Sequence, residues 1–380
     1  MIDLFHKLYR EELKILYTSV FIRKIGASLI SIFVPIYLYQ NDYSIIYILI
    51  FFLISSLVYL LWNSTGAHII ARCGEKHAML FSAPLEISYY VSLILIPKFP
   101  IFFVIAPILL GIYTMLFNTS YHLIFTRNSH EQQRGREIAT MGILVTLAGI
   151  ISPYIGGLLA EANFNLLFIV SSLFIFVSSI PLFFTHDTFE KIHFTNRKLY
   201  RDIFAKSNKG NFISFSAYGT EHMINLIIWP IFIIITVGTL TKTGLIISIT
   251  TILSLVSYYF IGRIADSFNH KKMLSLGTYM HAIAWVLRLL ATTIGSIILI
   301  DSFKGIAQKI IHIPWSAEIY TITLKKDYLE FILIKESIFH ISRIALYPIL
   351  IGIFWLNVYP FTISIILAAC LNVGYKYINK

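Results

Sequence analysis

Five residues, Asp301, Lys304, Gln308, His312 and Trp315, recur every three or four positions within an otherwise apolar stretch. On an α-helix at about 100° per residue they fall within about 80° of one another, a single narrow stripe. A second stripe, Tyr218, Glu221, His222, Asn225 and Trp229, spans about 100° of another helix. Thr114, Asn118, Tyr121 and His122 form a milder one, and Arg23 and Lys24 stand side by side in the first apolar stretch. Such residues can hold a proton or bind a polar or acidic solute. Lys304, Arg23 and Lys24 suit an acidic or hydroxylated solute, Gln308, Asn225 and Asn118 suit its orientation, and Trp229 and Trp315 offer apolar walls. Glu221, Asp301 and His222 are the candidates for proton exchange, because a carboxyl or imidazole in a low-dielectric setting can titrate during a working cycle. A plainer reading stands beside this one. Asp301 and Lys304, three residues apart, can neutralise each other, and His122, His222 and His312 can serve as hydrogen-bonders between helices.

The elements that must carry these stripes are set by composition. Of the 380 residues 57% are hydrophobic and 13% charged, and the mean hydropathy is +0.77, values that exclude a soluble domain. Apolar stretches of about 20 residues, long enough to cross a hydrocarbon core of roughly 30 Å, recur along the chain. They predict twelve helical spans, at 15–40, 44–66, 78–97, 101–126, 138–160, 164–185, 211–237, 243–262, 273–292, 294–322, 332–354 and 358–378. The tenth is the most polar. A charge at mid-bilayer costs at least about 2.5 kcal/mol, so the polar stripes must face water or a partner helix. Arg288, near an outer span end, is expected to snorkel toward the interface.

Basic residues fix the orientation. Lys7, Arg10, Lys14, Arg72, Lys76, Arg127, Arg134, Arg136, Arg263, Lys271, Lys272, Lys325, Lys326, Lys376 and Lys380 gather on one face, while the other holds only Lys98 and Lys242. Both termini are therefore expected in the cytoplasm, with the protein in the cytoplasmic (plasma) membrane. The net charge of +11 is this topological bias, which argues against a nucleic-acid partner. Residues 186–210 are polar and basic. They read as a cytoplasmic linker, with a short interfacial helix near 196–206, between helical halves at 1–185 and 211–380. Cys73 and Cys370 read as free thiols, and no metal spacing or P-loop is present. Met1–Lys14 is charged and amphipathic and lacks a small-residue cleavage site, unlike a signal peptide.

The halves are related at constant spacing. Gly262-Arg263-Ile264-Ala265-Asp266-Ser267-Phe268-Asn269-His270-Lys271-Lys272 repeats, in degraded form, a segment 195 residues earlier, from Ala67 through Arg72 and Gly74 to His77. Pro35 and Pro230, Pro153 and Pro348, Gly157 and Gly352, and Glu86 and His281 show the same offset. The two loops resemble the G-x-L-A-D-R-x-G-R-K signature of the major facilitator superfamily. The later copy keeps Gly262, Ile264, Ala265, Asp266 and Lys271; the earlier keeps Arg72, Gly74 and Lys76 but has Ala71 where the acid stands. Ser152-Pro153-Tyr154-Ile155-Gly156-Gly157 is similar to the G-P-x-x-G-G element of that superfamily's proton-coupled exporters.

The resemblance implies an all-α membrane protein of two pseudo-symmetric six-helix bundles around a central cavity. The first, fourth, seventh and tenth spans would line that cavity, which places Arg23, Lys24, Asn118, His122, Tyr218, Asn225, Trp229, Lys304, Gln308 and His312 around a solute. It further implies gating at Gly262, Asp266, Lys271, Arg72, Gly74, Pro153 and Gly157, with Asp266 latching near Arg136-Glu137-Ile138. Pro35 and Pro230 suit bending elements, or plain helix irregularity. The expected activity is secondary transport of a small polar or anionic solute by a monomer, coupled to protons and using no cofactor or metal. Glu86 and His281 are expected to be structural. The stripe Glu336, His340, Arg343 and Tyr347 reads as a lateral helix contact or a cavity mouth. The alternatives are an exporter of amphipathic drugs or lipids, an integral membrane enzyme, and a non-transporting sensor; the enzyme needs convergent catalytic groups, and the polar residues are dispersed.

Overall fold

A computed structural model describes residues 2–128, 134–185, 196–265, 269–323 and 328–378. Within them the chain forms fifteen α-helices joined by short links, and no strand is present among the described residues. They are α1 (Ile2–Ile30), α2 (Phe33–Gln40), α3 (Ile45–Cys73), α4 (Glu75–Leu95), α5 (Phe102–Asn128), α6 (Arg134–Ala162), α7 (Phe164–Ser179) and α8 (Asn196–Ile203). Then follow α9 (Lys209–Met223), α10 (Trp229–Val237), α11 (Leu240–Ala265), α12 (His270–Leu287), α13 (Ile294–Thr323), α14 (Tyr328–Leu356) and α15 (Pro360–Asn372). Nine described helical stretches are long and apolar enough to cross a membrane. Those at α11, α13 and α15 fall outside that measure; α13 carries the polar stripe, and only 13 residues of α15 are α-helical.

Local chemistry explains the helix ends. Gly74 alone links α3 to α4 with φ 89° and ψ 151°, a backbone shape that a side chain disfavours. Asn163 caps α7 by accepting from the Asn165 amide at 2.8 Å, and Asn269 caps α12 by accepting from Lys271 N at 2.9 Å. The predicted first span is broken at Ser31–Ile32, one turn before Pro35. In the predicted seventh span a π turn, Ile224–Ile228, precedes Pro230. Each proline lacks the N–H that would bond one turn back. Pro84, Pro107, Pro153, Pro314 and Pro348 sit in unbroken helices, so a missing donor permits such irregularity without compelling it.

The helices pack in two groups. α1 lies on α6 and α7, and α5 on α3 and α4; α13 lies on α11 and α12, while α9 lies on α14 and α15. The groups meet chiefly where α6 packs on α11 and α3 on α14. A shift of 195 residues carries α3 onto α11 and α6 onto α14, so the two cross-contacts exchange under the sequence repeat. Glycine makes the α6–α11 contact close. A Cβ on Gly157 would stand 2.6 Å from Leu240 O and one on Gly244 would strike Pro153 O, while one on Gly156 would strike Leu29 O of α1. Glu161 accepts from Thr241 N at 2.7 Å, satisfying an amide at the start of α11. Across α3 and α14, Tyr59 stacks on His340 at 3.8 Å and bonds Glu336, and Asn63 donates to Ser337 at 2.8 Å. The Glu336 stripe is thus part of a contact between the two helix groups.

A short helix, α8, lies in the 196–206 stretch expected to hold one. Leu199 and Ile203 are buried beneath it, Tyr200 and Phe204 are exposed, and Lys198 bonds Glu330 of α14 at 2.7 Å.

Candidate functional site

The deepest polar groups lie in the second helix group. Glu221, near the end of α9 and 1% exposed, is met from three directions. Lys304 Nζ of α13 stands 3.2 Å from its Oε1, Trp285 Nε1 of α12 donates to the same oxygen at 3.1 Å, and Tyr375 donates to Oε2 at 3.4 Å. His281 Nε2 lies 3.8 Å from Oε1, and neither ring nitrogen has a hydrogen-bond partner within bonding distance. The π turn begins three residues after Glu221, in the segment that also carries Asn225. A π turn shifts the register of the helix, so Glu221 and Trp229 need not keep the common face an ideal helix would give them.

A second ion pair adjoins this one. Arg288 Nε donates to Asp301 Oδ1 at 2.9 Å with Nη2 2.8 Å from the same oxygen, and Trp229 Nε1 donates to Oδ2 at 2.8 Å. The guanidinium lies between two indoles, 3.9 Å from Trp229 and 4.2 Å from Trp285. One expectation is corrected here, and one alternative reading is set aside. Arg288 does not snorkel: it is 2% exposed and tied to Asp301. Asp301 and Lys304 do not neutralise each other, since their first partners are Arg288 and Glu221. The three-residue link at 291–293 brings the end of α12 back beside α13, and this long-range pairing displaces the local one.

In the first helix group Arg23 is 4% exposed, pairs with Glu86, donates to Ser82 Oγ at 3.0 Å and lies over Phe117. Tyr90 also donates to Glu86, at 2.7 Å. Arg23 is therefore held within its own helix group. Lys24 is exposed. Asn118 and Gln308 are half-buried, and His312 is exposed, with its ring 3.3 Å from Ser316. His122 is drawn to α14: Lys335 Nζ approaches its Nε2 at 3.3 Å, and Tyr328 donates to its carbonyl at 2.9 Å.

The tryptophans depart from the expected open walls. Trp229 is enclosed by the Asp301–Arg288 pair, and Trp315 is 5% exposed, donates to Ser214 at 2.8 Å and packs on Phe215 and Tyr218. Tyr218 also stacks on His222, with ring centroids 5.7 Å apart. Sequence reasoning missed the parts played by His281, Trp285 and Tyr375. The 195-residue relation of Glu86 to His281 was a signal, since both lie beside a charged residue of the preceding stripe.

Of the gating residues, Asp266 lies outside the described residues, and so does the latch. Gly74 forms the α3–α4 turn and Arg72 and Lys271 are exposed. Glu75 pairs with Arg127 at 2.9 Å, fixing the first loop to the end of α5. No group of three metal-ligating residues occurs among the described residues.

Ion pairs held inside a bundle of membrane-crossing helices, with cross-contacts exchanged by an internal repeat, define a duplicated multi-span membrane protein built around buried charge. A profile described as Major Facilitator Superfamily matches residues 16–208, and the chain belongs to that superfamily of transporters. A multi-drug resistance efflux pump PmrA homolog from Lactococcus lactis subsp. lactis (strain IL1403) is 28% identical over 160 residues. That match spans 39% of this chain and 39% of the relative. Among solved structures, a POT family transporter in complex with 5-aminolevulinic acid superposes with TM-score 0.76 at 12% identity, covering 96% of this chain and 94% of that one. A D-xylose-proton symporter gives 0.71 at 12% identity, covering 96% of each. At these identities the likeness concerns the fold.

Proposed function

We propose that this chain is a secondary active transporter that moves a small polar or anionic solute, driven by protons. In this reading it has twelve spans in two bundles, 1–185 and 211–380, which rock about a central site, with 186–210 linking them and both termini cytoplasmic. The observation that carries the reading is the Glu221–Lys304 pair with His281 beside it, held in dry surroundings by Trp285 and Tyr375. In such surroundings a proton on Glu221 cancels the pairing charge and frees Lys304. Lys304 can then take an acidic or hydroxylated group of the solute, which links proton and solute binding. Asp301 is ion-paired with Arg288 and accepts hydrogen bonds from Arg288 Nε and Trp229 Nε1, and that supports an anchoring role for it.

Reconstitution into proteoliposomes tests the proposal. Glu221→Gln should abolish accumulation driven by a pH gradient and spare solute counterflow, which needs no net protonation cycle. Retained gradient-driven accumulation in that variant removes Glu221 from coupling. Export of amphipathic compounds is the second reading, favoured by the efflux-pump relative and by the tight Gly156–Gly157 contacts. Dye efflux from inverted vesicles, insensitive to small polar solutes, would support it instead.

A further inference from the structure

A pocket of about 60 Å³ opens between the start of α12, the later half of α13 and residues 373–378. Leu274, Ser275, Glu318, Lys376 and Ile378 are among its lining residues, and its volume admits a few water molecules. Two walls rise from it into the second helix group. On α12, Thr278, His281 and Trp285 continue the face begun by Leu274, at intervals of three or four residues, and all four are buried. From Leu274 to His281 the helix rises about 10 Å. On the opposite wall, Tyr375 and Asn372 lie deeper in the chain segment whose Lys376 and Ile378 line the pocket, and both are buried. The walls touch: α12 packs on α15 and on residues 373–377, and the His281 and Tyr375 rings stand 6.2 Å apart.

This polar seam ends at Glu221. The Tyr375 hydroxyl donates to its Oε2 at 3.4 Å, and His281 Nε2 stands 3.8 Å from its Oε1. Lys304 Nζ and Trp285 Nε1 face the same Oε1, and Arg288, farther along, is tied to Asp301. Glu221, Lys304 and Tyr375 are thus the titratable groups around His281. Four buried atoms of the seam make no hydrogen bond among the described residues: both ring nitrogens of His281 and both amide atoms of Asn372. Burying polar atoms unbonded is costly, and apolar side chains would serve packing better. A neutral imidazole with a free lone pair and a free N–H can instead take a proton on one nitrogen and release one from the other.

We propose that this seam is a proton inlet to Glu221, with His281 as its relay and Tyr375 as the residue that positions the carboxyl. The inlet rests on the proton-coupled reading above and deepens it: protons travel inside one helix group, apart from a solute that passes between the two. A hydronium ion entering from the pocket gives its proton to His281 Nδ1 and leaves as water. The Nε2–H bond then breaks toward Glu221, and an O–H bond forms on Oε1. The imidazole is left neutral in its other tautomer, and Lys304 loses its counter-charge. Tyr375 keeps its own proton; bonded to Oε2, it holds Oε1 toward the imidazole.

The test uses the full chain in lipid nanodiscs and protons released by a flash from a caged acid. Time-resolved infrared spectroscopy follows the carboxyl C=O band of protonated Glu221, identified by its loss in Glu221→Gln. His281→Gln should slow the rise of that band about a hundredfold and leave its final height unchanged. Tyr375→Phe keeps the ring and removes the hydroxyl; it should slow the rise about tenfold or more and move the band to higher frequency, because the C=O loses its donor. A third arm leaves the relay untouched. In a chain carrying Cys73→Ser and Cys370→Ser, Ser275→Cys should behave as its parent, become slow when a benzyl disulfide is attached, and recover on reduction. The inlet is overturned if the band rises as fast in His281→Gln, if plugging the pocket at residue 275 leaves the rate unchanged, or if no band is lost in Glu221→Gln. Failure of the carrier reading looks different: the infrared rates would change as described, yet Glu221→Gln would still accumulate solute under a pH gradient.

Discussion

Replacing Asp301 by Asn isolates the buried ion pair with Arg288. Arg288 is 2% exposed and sits between Trp229 and Trp285, so it cannot reach water when its partner loses charge. Asn keeps an oxygen for Trp229 Nε1, and the loss is therefore almost wholly that of the charge facing Arg288. Stranding a buried charge in this way costs about 3–5 kcal/mol. Arg288→Met together with Asp301→Asn removes both charges, retains the acceptor for Trp229 and keeps a long apolar side chain between the indoles. That pair of changes should cost about 1–2 kcal/mol, which is about 2–3 kcal/mol less than Asp301→Asn alone. Unfolding in mixed micelles with increasing SDS, followed by circular dichroism, gives the three free energies. A cost below about 1 kcal/mol for Asp301→Asn, or a double variant no more stable than the single one, would refute the buried pair and the anchoring role assigned to Asp301.

Gly157→Ala should force α6 and α11 apart, because the added carbon meets backbone at Leu240 O and Thr241 Cα; a loss of about 1–3 kcal/mol and slower flux are expected, measured by the same unfolding and by counterflow. Pro230→Ala restores an amide donor beside the π turn, which should stiffen the segment carrying Glu221 and slow exchange while leaving solute affinity unchanged; unaltered exchange rates would assign the turn to packing alone. Asp266→Asn should increase labelling of a thiol introduced at Asn118 from the cytoplasmic side if Asp266 holds that side closed, and unchanged labelling returns Asp266 to capping a turn.

The apolar runs made the helices legible, because crossing a hydrocarbon layer demands the same long uninterrupted pattern every time. The 195-residue offset made the pairing of α3 with α14 and α6 with α11 intelligible, since a duplicated chain must exchange those contacts. The site was legible only as faces. Asp301, Lys304 and Glu221 could be placed on stripes, yet their partners Arg288, Trp285, His281 and Tyr375 come from helices that show no stripe of their own. Periodicity reports which way a side chain points; which charge answers it depends on helix neighbours and on links such as 291–293. The local i,i+3 pair, the plainer reading of Asp301 and Lys304, accordingly gives way to Arg288 and Glu221 as their partners. A buried arginine likewise looked like an interfacial one, because its depth is set by a carboxylate thirteen positions later.

Trp285 donates to Glu221 at 3.1 Å and Trp229 donates to Asp301 at 2.8 Å, so two indoles read the state of two carboxylates directly. Indole emission responds to a nearby charge, and the chain therefore carries its own optical electrodes at the groups that matter. With Trp62 and Trp355, both exposed, and Trp315 changed to phenylalanine, the remaining ultraviolet emission comes from this pair. The colour of the unlabelled protein would then register when a proton or a solute arrives, in real time and before anything has crossed the membrane.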